Sequence, residues 1–289
     1  MVSAEVLLLQ LANGLSFGVI FALIAAGITL MWGIMDFINM AHGDLYMLGA
    51  YGVWLALVVG VASFWLALPL AVAGVLAIGL LLRATVLRPV FGRAPLQTLL
   101  ATYGVGLVLQ QGVLALVGPF SKEIPLPVTG LVTLGPLRYP AYRLVVIALG
   151  IALITAAWLF IQRSTYGIWI RAVAQDRTMT AALGVPVPRV YTVVFGLGSA
   201  LAGIGGALAA PLFGIGPTMG ADVILLAFIV VMIGGLGNYA GSVVGGVLIG
   251  EVIALGALWL QPTEAYLVAL GLLLLLLVVR PQGLLRAAR

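Results

Sequence analysis

The stretch that decides the fold lies near the amino terminus, where residues 6–32 read VLLLQLANGLSFGVIFALIAAGITLMW, 27 residues without a charged side chain. A helix needs about 20 mostly apolar residues to cross a bilayer. Eight more apolar runs follow, at about 45–60, 64–82, 96–117, 144–161, 190–213, 221–236, 241–260 and 265–279. We therefore expect an all-α polytopic membrane protein with about nine transmembrane helices, within a range of eight to ten, forming a single integral-membrane domain over residues 1–289.

The composition supports a membrane protein and excludes several functional classes. Of the 289 residues, 64% are hydrophobic and 7% are charged, whereas a soluble domain carries about 25% charged residues. The chain has no cysteine and one histidine, which excludes thiolate and multi-histidine metal sites. The only lysine, Lys122, stands between Ser121 and Glu123, so no phosphate-binding P-loop is present. We expect no enzyme activity in this chain, and any ATP hydrolysis would take place in another chain.

The distribution of arginine predicts the orientation in the membrane. Ten arginines lie in three segments between or after apolar runs, at 83–95, 162–189 and 280–289. Positively charged loops remain on the cytoplasmic side, which accounts for the net charge of +5 better than nucleic-acid binding does. With nine spans, the N-terminus and the Pro-rich segment 118–143 lie outside and the C-terminus lies in the cytoplasm. Prolines in that segment exclude a long helix there.

A polar segment interrupts the apolar pattern after the first run. Two carboxylates, an amide and the only histidine fall within nine residues there: Asp36, Asn39, His42, Gly43 and Asp44. Charges at membrane depth usually face a protein interior or water, so this segment is either a polar helix break or part of a substrate pathway. A proton relay through His42 and Asp44 is a further alternative. The structural alternative is an Asp or Asn cap at a helix start, with His42 bonded to a carbonyl.

The basic connection at 162–189 contains a predicted short helix. Residues 171–184 are rich in helix formers, Gly184 provides the C-terminal stop, and two prolines follow it. At 100° per residue, Ala172, Met179 and Leu183 share one face. This helix is either a surface linker between two spans or a docking element for a cytoplasmic protein. Its candidate docking residues are Arg171, Ala172, Asp176, Met179, Leu183 and Gly184.

Glycines are frequent in the apolar runs, and the chain has 38 of them. Glycine lets helix backbones approach closely in lipid. The candidates for tight packing or for a moving gate are Gly234, Gly235, Gly237, Gly245 and Gly246.

Two acids stand near or inside later apolar runs: we expect Asp222 to cap a helix and Glu251 to face the protein interior.

Three segments resemble the permease subunits of branched-chain amino-acid ABC importers. Residues 33–51 (GIMDFINMAHGDLYMLGAY) are similar to the hallmark segment of that family, and residues 171–185 (RAVAQDRTMTAALGV) resemble its cytoplasmic loop. Residues 233–246 (IGGLGNYAGSVVGG) resemble its Gly-rich late region. The segments occur in the family's order and span most of the chain.

The resemblance implies a set of partners and a function. It implies a permease subunit in the inner membrane of a prokaryote, paired with a second permease as a homodimer or heterodimer. Two cytoplasmic ATPase subunits would bind ATP and magnesium, and an extracytoplasmic binding protein would deliver leucine, isoleucine or valine. The helix at 171–184, within the coupling loop 162–189, would seat on the ATPase. Relatives carry urea or short amides, which stay open as cargo, and a proton-coupled secondary transporter is the competing class.

Overall fold

The computed structural model describes residues 3–90, 94–135, 137–280 and 283–284. Arg93, Arg286 and Arg289 of the predicted basic segments, and Pro136 of the Pro-rich segment, lie outside the described residues. The main helices are α1 (Ala4–Met35), α2 (His42–Val58), α3 (Phe64–Leu82), α5 (Pro95–Val117), α6 (Ala141–Arg163), α9 (Val187–Phe213), α10 (Met219–Gly234), α11 (Tyr239–Gly256) and α12 (Pro262–Val279). A π turn (Arg83–Leu87) and a short α4 (Arg88–Val90) extend α3, and α7 (Thr165–Gln175) and α8 (Arg177–Ala182) connect α6 to α9.

Each predicted apolar run coincides with one of the main helices in the described part of the chain, so the all-α polytopic class is confirmed. Six of the described helices are long and apolar enough to cross a membrane: α1, α3 with its extension, α5, α6, α9 and α11. The helices α2 and α10 are shorter, at 17 and 16 residues. The predicted bounds lie within about three residues of most helix ends: α1 continues to Met35 and α2 begins at His42. The largest difference is at α11, which ends at Gly256 rather than near residue 260.

The centre of the protein is built from α1, α2 and α9, whose residues are mostly buried, whereas α3, α5 and α6 leave most of their surface exposed. The inner helices are rich in glycine and alanine, which allows close approach between backbones. The outer helices expose leucine and valine, among them Leu100, Val108 and Leu116 on α5. In a bilayer this apolar surface meets lipid or another membrane chain.

Small residues allow α1 to pack closely against α11, and these two helices form the most extensive helix pair in the described structure. A methyl group added at Gly18 would lie 2.7 Å from the Cα of Val247, and one at Gly246 would lie 2.7 Å from the backbone nitrogen of Ala22. A Cβ at Gly250 would meet the backbone of Gly14 and Gly18. Because ordinary carbon contacts are about 3.5–4.0 Å, these glycines set the distance between the two helices.

The Pro-rich segment forms no long helix, as predicted, but contains a hairpin that the sequence did not reveal. Strand β1 (Leu131–Leu134) pairs antiparallel with β2 (Leu137–Pro140), so Val132 lies opposite Tyr139. Burial raises the pKa of the Tyr139 phenol. Upstream, Lys122 exchanges two backbone hydrogen bonds of 2.8 Å with Ile215, which fixes this segment beside the loop after α9.

Candidate functional site

A cavity of about 390 Å³ opens beside the end of α9 and the start of α10. Aromatic rings line much of its wall, contributed by four helices: Phe17 and Phe21 from α1, Tyr46 from α2, Phe213 from α9 and Tyr266 from α12. The rings of Phe17 and Phe213 are 5.3 Å apart. The loop residues Gly214 and Gly216, with Ser121 from the segment fixed by Lys122, complete the lining. The arrangement is a largely apolar pocket with backbone and hydroxyl groups at one side.

The cavity and the helices α7 and α8 lie at opposite ends of α9. This helix begins at Val187, directly after α8, and ends at Phe213 in the cavity wall. Its 27 residues span about 40 Å at 1.5 Å per residue, which is enough to cross the hydrocarbon layer. The cavity and the basic connection are therefore about 40 Å apart along α9, more than the thickness of the hydrocarbon layer.

Asp222 supplies the charge of the cavity. It stands in the first turn of α10, where Thr218 is the N-cap residue, so the expectation that Asp222 itself caps the helix is wrong. Its position is nevertheless favourable, because a carboxylate in the first turn complements the helix dipole. The side chain is exposed to the cavity, and its carboxylate has no hydrogen-bond or ion-pair partner among the described residues.

Asn39, His42 and Asp44 of the polar segment 36–44 are buried in the protein interior, whereas Asp36 is exposed, and none of these residues lines the cavity. Asp36 ends α1 in a left-handed conformation, with φ of 52°. Asn39 is buried and its amide lies 3.6 Å from the Met31 sulfur. The polar break between helices covers residues 36–41, and His42, Gly43 and Asp44 form the first turn of α2. A pathway role for these residues stays a prediction.

His42 and Asp44 are directed at different helices. The fully buried His42 places Nε2 3.2 Å from the Ile24 carbonyl of α1, as the structural alternative predicted. A Cβ at Gly106 of α5 would meet the Asp44 carboxylate. The predicted Asp or Asn cap is wrong, because the N-cap residue of α2 is Ala41, which makes no side-chain bond. The geometry gives no support to a relay between the two groups.

Gly43 allows two helices to begin at the same place inside the bundle. A methyl group on Gly220, at the start of α10, would lie 2.7 Å from the Gly43 carbonyl oxygen. Since His42 contacts the middle of α1, both α2 and α10 start within the protein rather than at its surface. Polar backbone groups at helix ends are tolerated at membrane depth only where protein or a cavity surrounds them.

The predicted single helix over 171–184 is wrong. The chain forms α7 and α8 with a break at Asp176, whose backbone is extended (φ −150°, ψ 104°). The Asp176 carboxylate accepts a hydrogen bond of 2.8 Å from the Met179 backbone N–H and so caps α8, as aspartate commonly does. The predicted stop is confirmed, because Gly184 adopts a positive φ of 85°. The shared face of Ala172, Met179 and Leu183 is lost, since the break separates Ala172 from the other two.

The remaining residues of the connection divide into an anchored part and an exposed part. The Arg171 guanidinium donates a hydrogen bond to the Ile161 carbonyl, and Ala172 is half-buried. Met179 and Leu183 are 60% and 78% exposed. An apolar pair that projects from a polar connection is a feature of protein contact surfaces.

The late glycines pack helices together. Gly234 ends α10 against Gly241 of α11, and a methyl group on Gly245 would lie 2.6 Å from the Val230 carbonyl oxygen. Gly235 and Gly237 have positive φ values of 99° and 78° in the turn between these helices. Gly246 packs on α1. Close helix packing or a turn therefore accounts for glycine at each of the five candidate positions. A gating role stays a prediction.

Glu251 faces inward as expected, with its Oε2 atom buried beside Gly14 and without a partner among the described residues.

Residues 10–279 match the family described as "Branched-chain amino acid transport system / permease component". This chain belongs to that family. Among its relatives, the high-affinity branched-chain amino acid transport system permease protein BraD of Pseudomonas aeruginosa is 33% identical over 96% of this chain and 94% of its own length. LivH of Escherichia coli is 30% identical with the same coverage, and the probable permease LivH of Methanocaldococcus jannaschii is 27% identical over 79% of this chain.

As a member of the permease family, the chain is a multi-pass membrane component of a transport system that includes further components. The family is one of membrane components and not of enzymes. The resemblance carried by residues 33–51, 171–185 and 233–246 is thereby confirmed.

Sequence reasoning missed the cavity of this permease. Its lining comes from residues that are more than 200 positions apart, such as Phe17 and Tyr266, and each of them reads as an ordinary lipid-facing or core aromatic in its own run. The one available signal was Asp222, a lone acid at the edge of an apolar run.

Proposed function

We propose that this permease is the transmembrane subunit of an ATP-driven importer and carries branched-chain or related amino acids across the cytoplasmic membrane. The observation that carries the proposal is the cavity, which combines aromatic walls with one unpaired carboxylate. It is joined by a single helix, α9, to the exposed end of the basic connection. The positive-inside rule supports the placement of that connection in the cytoplasm and of the cavity on the external side.

The chemistry of the cavity fits an amino acid better than a neutral amide. The Asp222 carboxylate would bind the ammonium group of the cargo, and hydrogen bonds between charged groups are worth about 1.5–3 kcal/mol. The rings of Phe17, Phe213 and Tyr266 would contact its apolar side chain, which leaves water at a gain of about 25 cal/mol per Å². Urea and short amides have neither a full charge nor a branched apolar group to occupy these surfaces.

We propose partners for three surfaces of the molecule: the exposed apolar pair of α8, the apolar outer surface and the hairpin near the cavity. Met179 and Leu183 would seat in a cleft of a cytoplasmic ATPase subunit, two of which would bind ATP and magnesium for the complex. A second permease, identical or related, would cover part of the apolar outer surface. An extracytoplasmic binding protein would dock beside the hairpin of β1 and β2 and deliver cargo to the cavity.

The assembly is tested by partner capture. The tagged chain is expressed with its native genomic neighbours, extracted in mild detergent and analysed by mass spectrometry. We expect P-loop ATPases and a second permease to co-purify and the complex to hydrolyse ATP. A chain that purifies alone and transports amino acids without ATP would refute the importer.

The docking surface is tested by placing a charge on it. The double change Met179→Asp and Leu183→Asp should abolish capture of the ATPase, because it buries two carboxylates in an apolar contact. Leu131→Asp introduces one such carboxylate at an exposed leucine of the hairpin, at the cavity end of the protein, and should leave ATPase capture intact. Equal capture by all variants would place the docking surface elsewhere.

The cargo is tested at Asp222. We expect Asp222→Asn to raise the KM for leucine uptake about tenfold, the equivalent of about 1.4 kcal/mol, while ATPase capture is unchanged. Glu123→Gln removes a carboxylate that is exposed on the same side but outside the cavity, and should leave uptake unaltered. A wild-type complex that imports acetamide or urea but no branched-chain amino acid would overturn the cargo and leave the importer standing.

A further inference from the structure

Four arginines surround a groove at the other end of the molecule from the cavity. The groove has a volume of about 400 Å³ and lies between the end of α3 and the beginning of α9. Its arginines come from four different elements: Arg83 from the π turn, Arg88 from α4, Arg177 from α8 and Arg189 from the first turn of α9. Elements that are about 100 residues apart in the chain thus bring their positive charges together.

No carboxylate of the described residues lines this groove. Arg83 donates a hydrogen bond of 2.5 Å to the Pro188 carbonyl, which holds the two sides of the groove together. The Arg177 guanidinium lies 5.3 Å from the centre of the Tyr191 ring. The nearest acid in the sequence, Asp176, is engaged as the cap of α8. Four like charges at one site repel one another unless an anion neutralises them.

The backbone adds to the positive charge of the groove. Val187, Pro188 and Arg189 form the first turn of the 27-residue helix α9 and line the groove. The N-terminus of a helix carries about half a positive charge from its peptide dipoles. The backbone N–H groups of Val187, Arg189 and Val190 are already bonded to carbonyls and Pro188 has none, so an anion here would be bound by the guanidinium groups while the dipole adds to the positive potential.

The groove opens where an outer helix leaves the apolar layer. The helix Phe64–Val90 has the composition of a membrane span and is mostly exposed, and Leu81, two residues before Arg83, is 60% exposed. Arginines at the end of such a helix reach the level of the lipid headgroups. The planar guanidinium binds phosphate through two parallel hydrogen bonds.

We propose that this groove is a binding site for the phosphate headgroup of an anionic phospholipid. The site would hold the lipid between α3 and α9 and neutralise the four arginines. A lipid is favoured over the acidic surface of an ATPase because the groove is formed largely by the ends of the span helices themselves. The exposed apolar pair Met179 and Leu183 provides a separate surface for a protein.

The test measures lipid binding to the full chain in detergent. Native mass spectrometry with added cardiolipin, phosphatidylglycerol or phosphatidylcholine should show retention of the two anionic lipids and not of phosphatidylcholine. The double variant Arg88→Gln and Arg189→Gln should bind cardiolipin about 30-fold more weakly, since each basic residue near an anionic surface contributes about fivefold. Arg163→Gln is the control, because this exposed arginine ends α6 outside the groove.

Each outcome supports or overturns the lipid site without a measurement of transport. Weaker cardiolipin binding in the double variant, with normal binding in Arg163→Gln, supports the site. Equal binding by the double variant and the wild type would overturn it. A loss of about fivefold in Arg163→Gln, in proportion to the single charge that it removes, would reduce the effect to overall charge and also overturn it. If the double variant retains lipid but no longer captures the ATPase, the groove is a protein contact and the lipid site is wrong.

Discussion

Gly246→Ala is the sharpest test of the interface between α1 and α11. The added methyl group would lie 2.7 Å from the backbone nitrogen of Ala22 and 2.8 Å from both its Cα and its Cβ. Because relaxed contacts between such atoms are about 3.5–4.0 Å, the two helices must separate locally by about 0.8 Å. A gap of that size forfeits a quarter to a half of the dispersion energy of each contact that it opens.

The expected cost follows from this separation. Overpacking by one methyl group destabilises a close-packed core by about 1–3 kcal/mol. For a chain of this size, the same change lowers the melting temperature by roughly 2–4 °C for each kcal/mol. We therefore expect Gly246→Ala to melt about 2–12 °C below the wild type when thermal unfolding of the purified chain in detergent is followed by intrinsic fluorescence.

Gly112→Ala is the matched control. Gly112 lies in the interior of α5, and an added Cβ would have no atom within 4 Å apart from the helix's own backbone and chain neighbours. Alanine is favoured over glycine in a helix by about 0.5–1 kcal/mol, so this variant should melt at or above the wild-type temperature. If Gly246→Ala and Gly112→Ala melt together, the glycines of α11 do not set the helix distance and the packing argument is refuted.

Three further changes test individual contacts. Tyr142→Phe removes the hydrogen bond of 2.9 Å to the Leu208 carbonyl and should cost about 0.5–1.5 kcal/mol in unfolding free energy, whereas the exposed Tyr103→Phe should cost nothing measurable. Glu251→Gln should leave the melting temperature equal or higher, because it removes an unpaired charge from the interior; a lower value would reveal a partner for this carboxylate. Asp176→Ala removes the cap of α8 and should increase amide hydrogen exchange at Met179, at a local cost of about 1 kcal/mol; unchanged exchange would contradict the capping role.

Apolar run length predicted where the main helices of the described residues lie, because a bilayer span depends on a local property, about 20 consecutive apolar residues; six of those helices are long and apolar enough to span. The same rule missed the residues that extend the two helices beside the polar segment. It ended α1 near Trp32, whereas α1 continues to Met35 with Asp36 as its C-cap. It began α2 near Leu45, whereas α2 begins at the buried His42, whose side chain donates to a carbonyl of α1. Local hydropathy cannot predict a contact between residues that are 18 positions apart.

The basic connection shows how one residue overrides helix propensity. Residues 171–184 contain mostly good helix formers, and their average composition predicts a continuous helix. Asp176 instead accepts the Met179 N–H with its side chain, an alternative to the helical backbone that aspartate offers readily. The break separates α8, which carries the exposed Met179 and Leu183, from the anchored α7, so the candidate docking surface is reduced to this pair.

One helix links the two surfaces on which the proposed function depends. The start of α9 follows α8, and its end, Phe213, forms part of the cavity wall. Between these ends its glycines contact α1, α2 and α3: a methyl group on Gly198 would meet the side chain of Met31, and one on Gly203 would lie 3.0 Å from Val75. Bulky side chains are also buried at its contacts, among them Phe195, Leu201 and Leu208, so α9 interlocks with the helices around it and cannot slide past them freely. A push at α8 would therefore move α9 together with the helices packed on it, and the displacement would reach the cavity wall at Phe213.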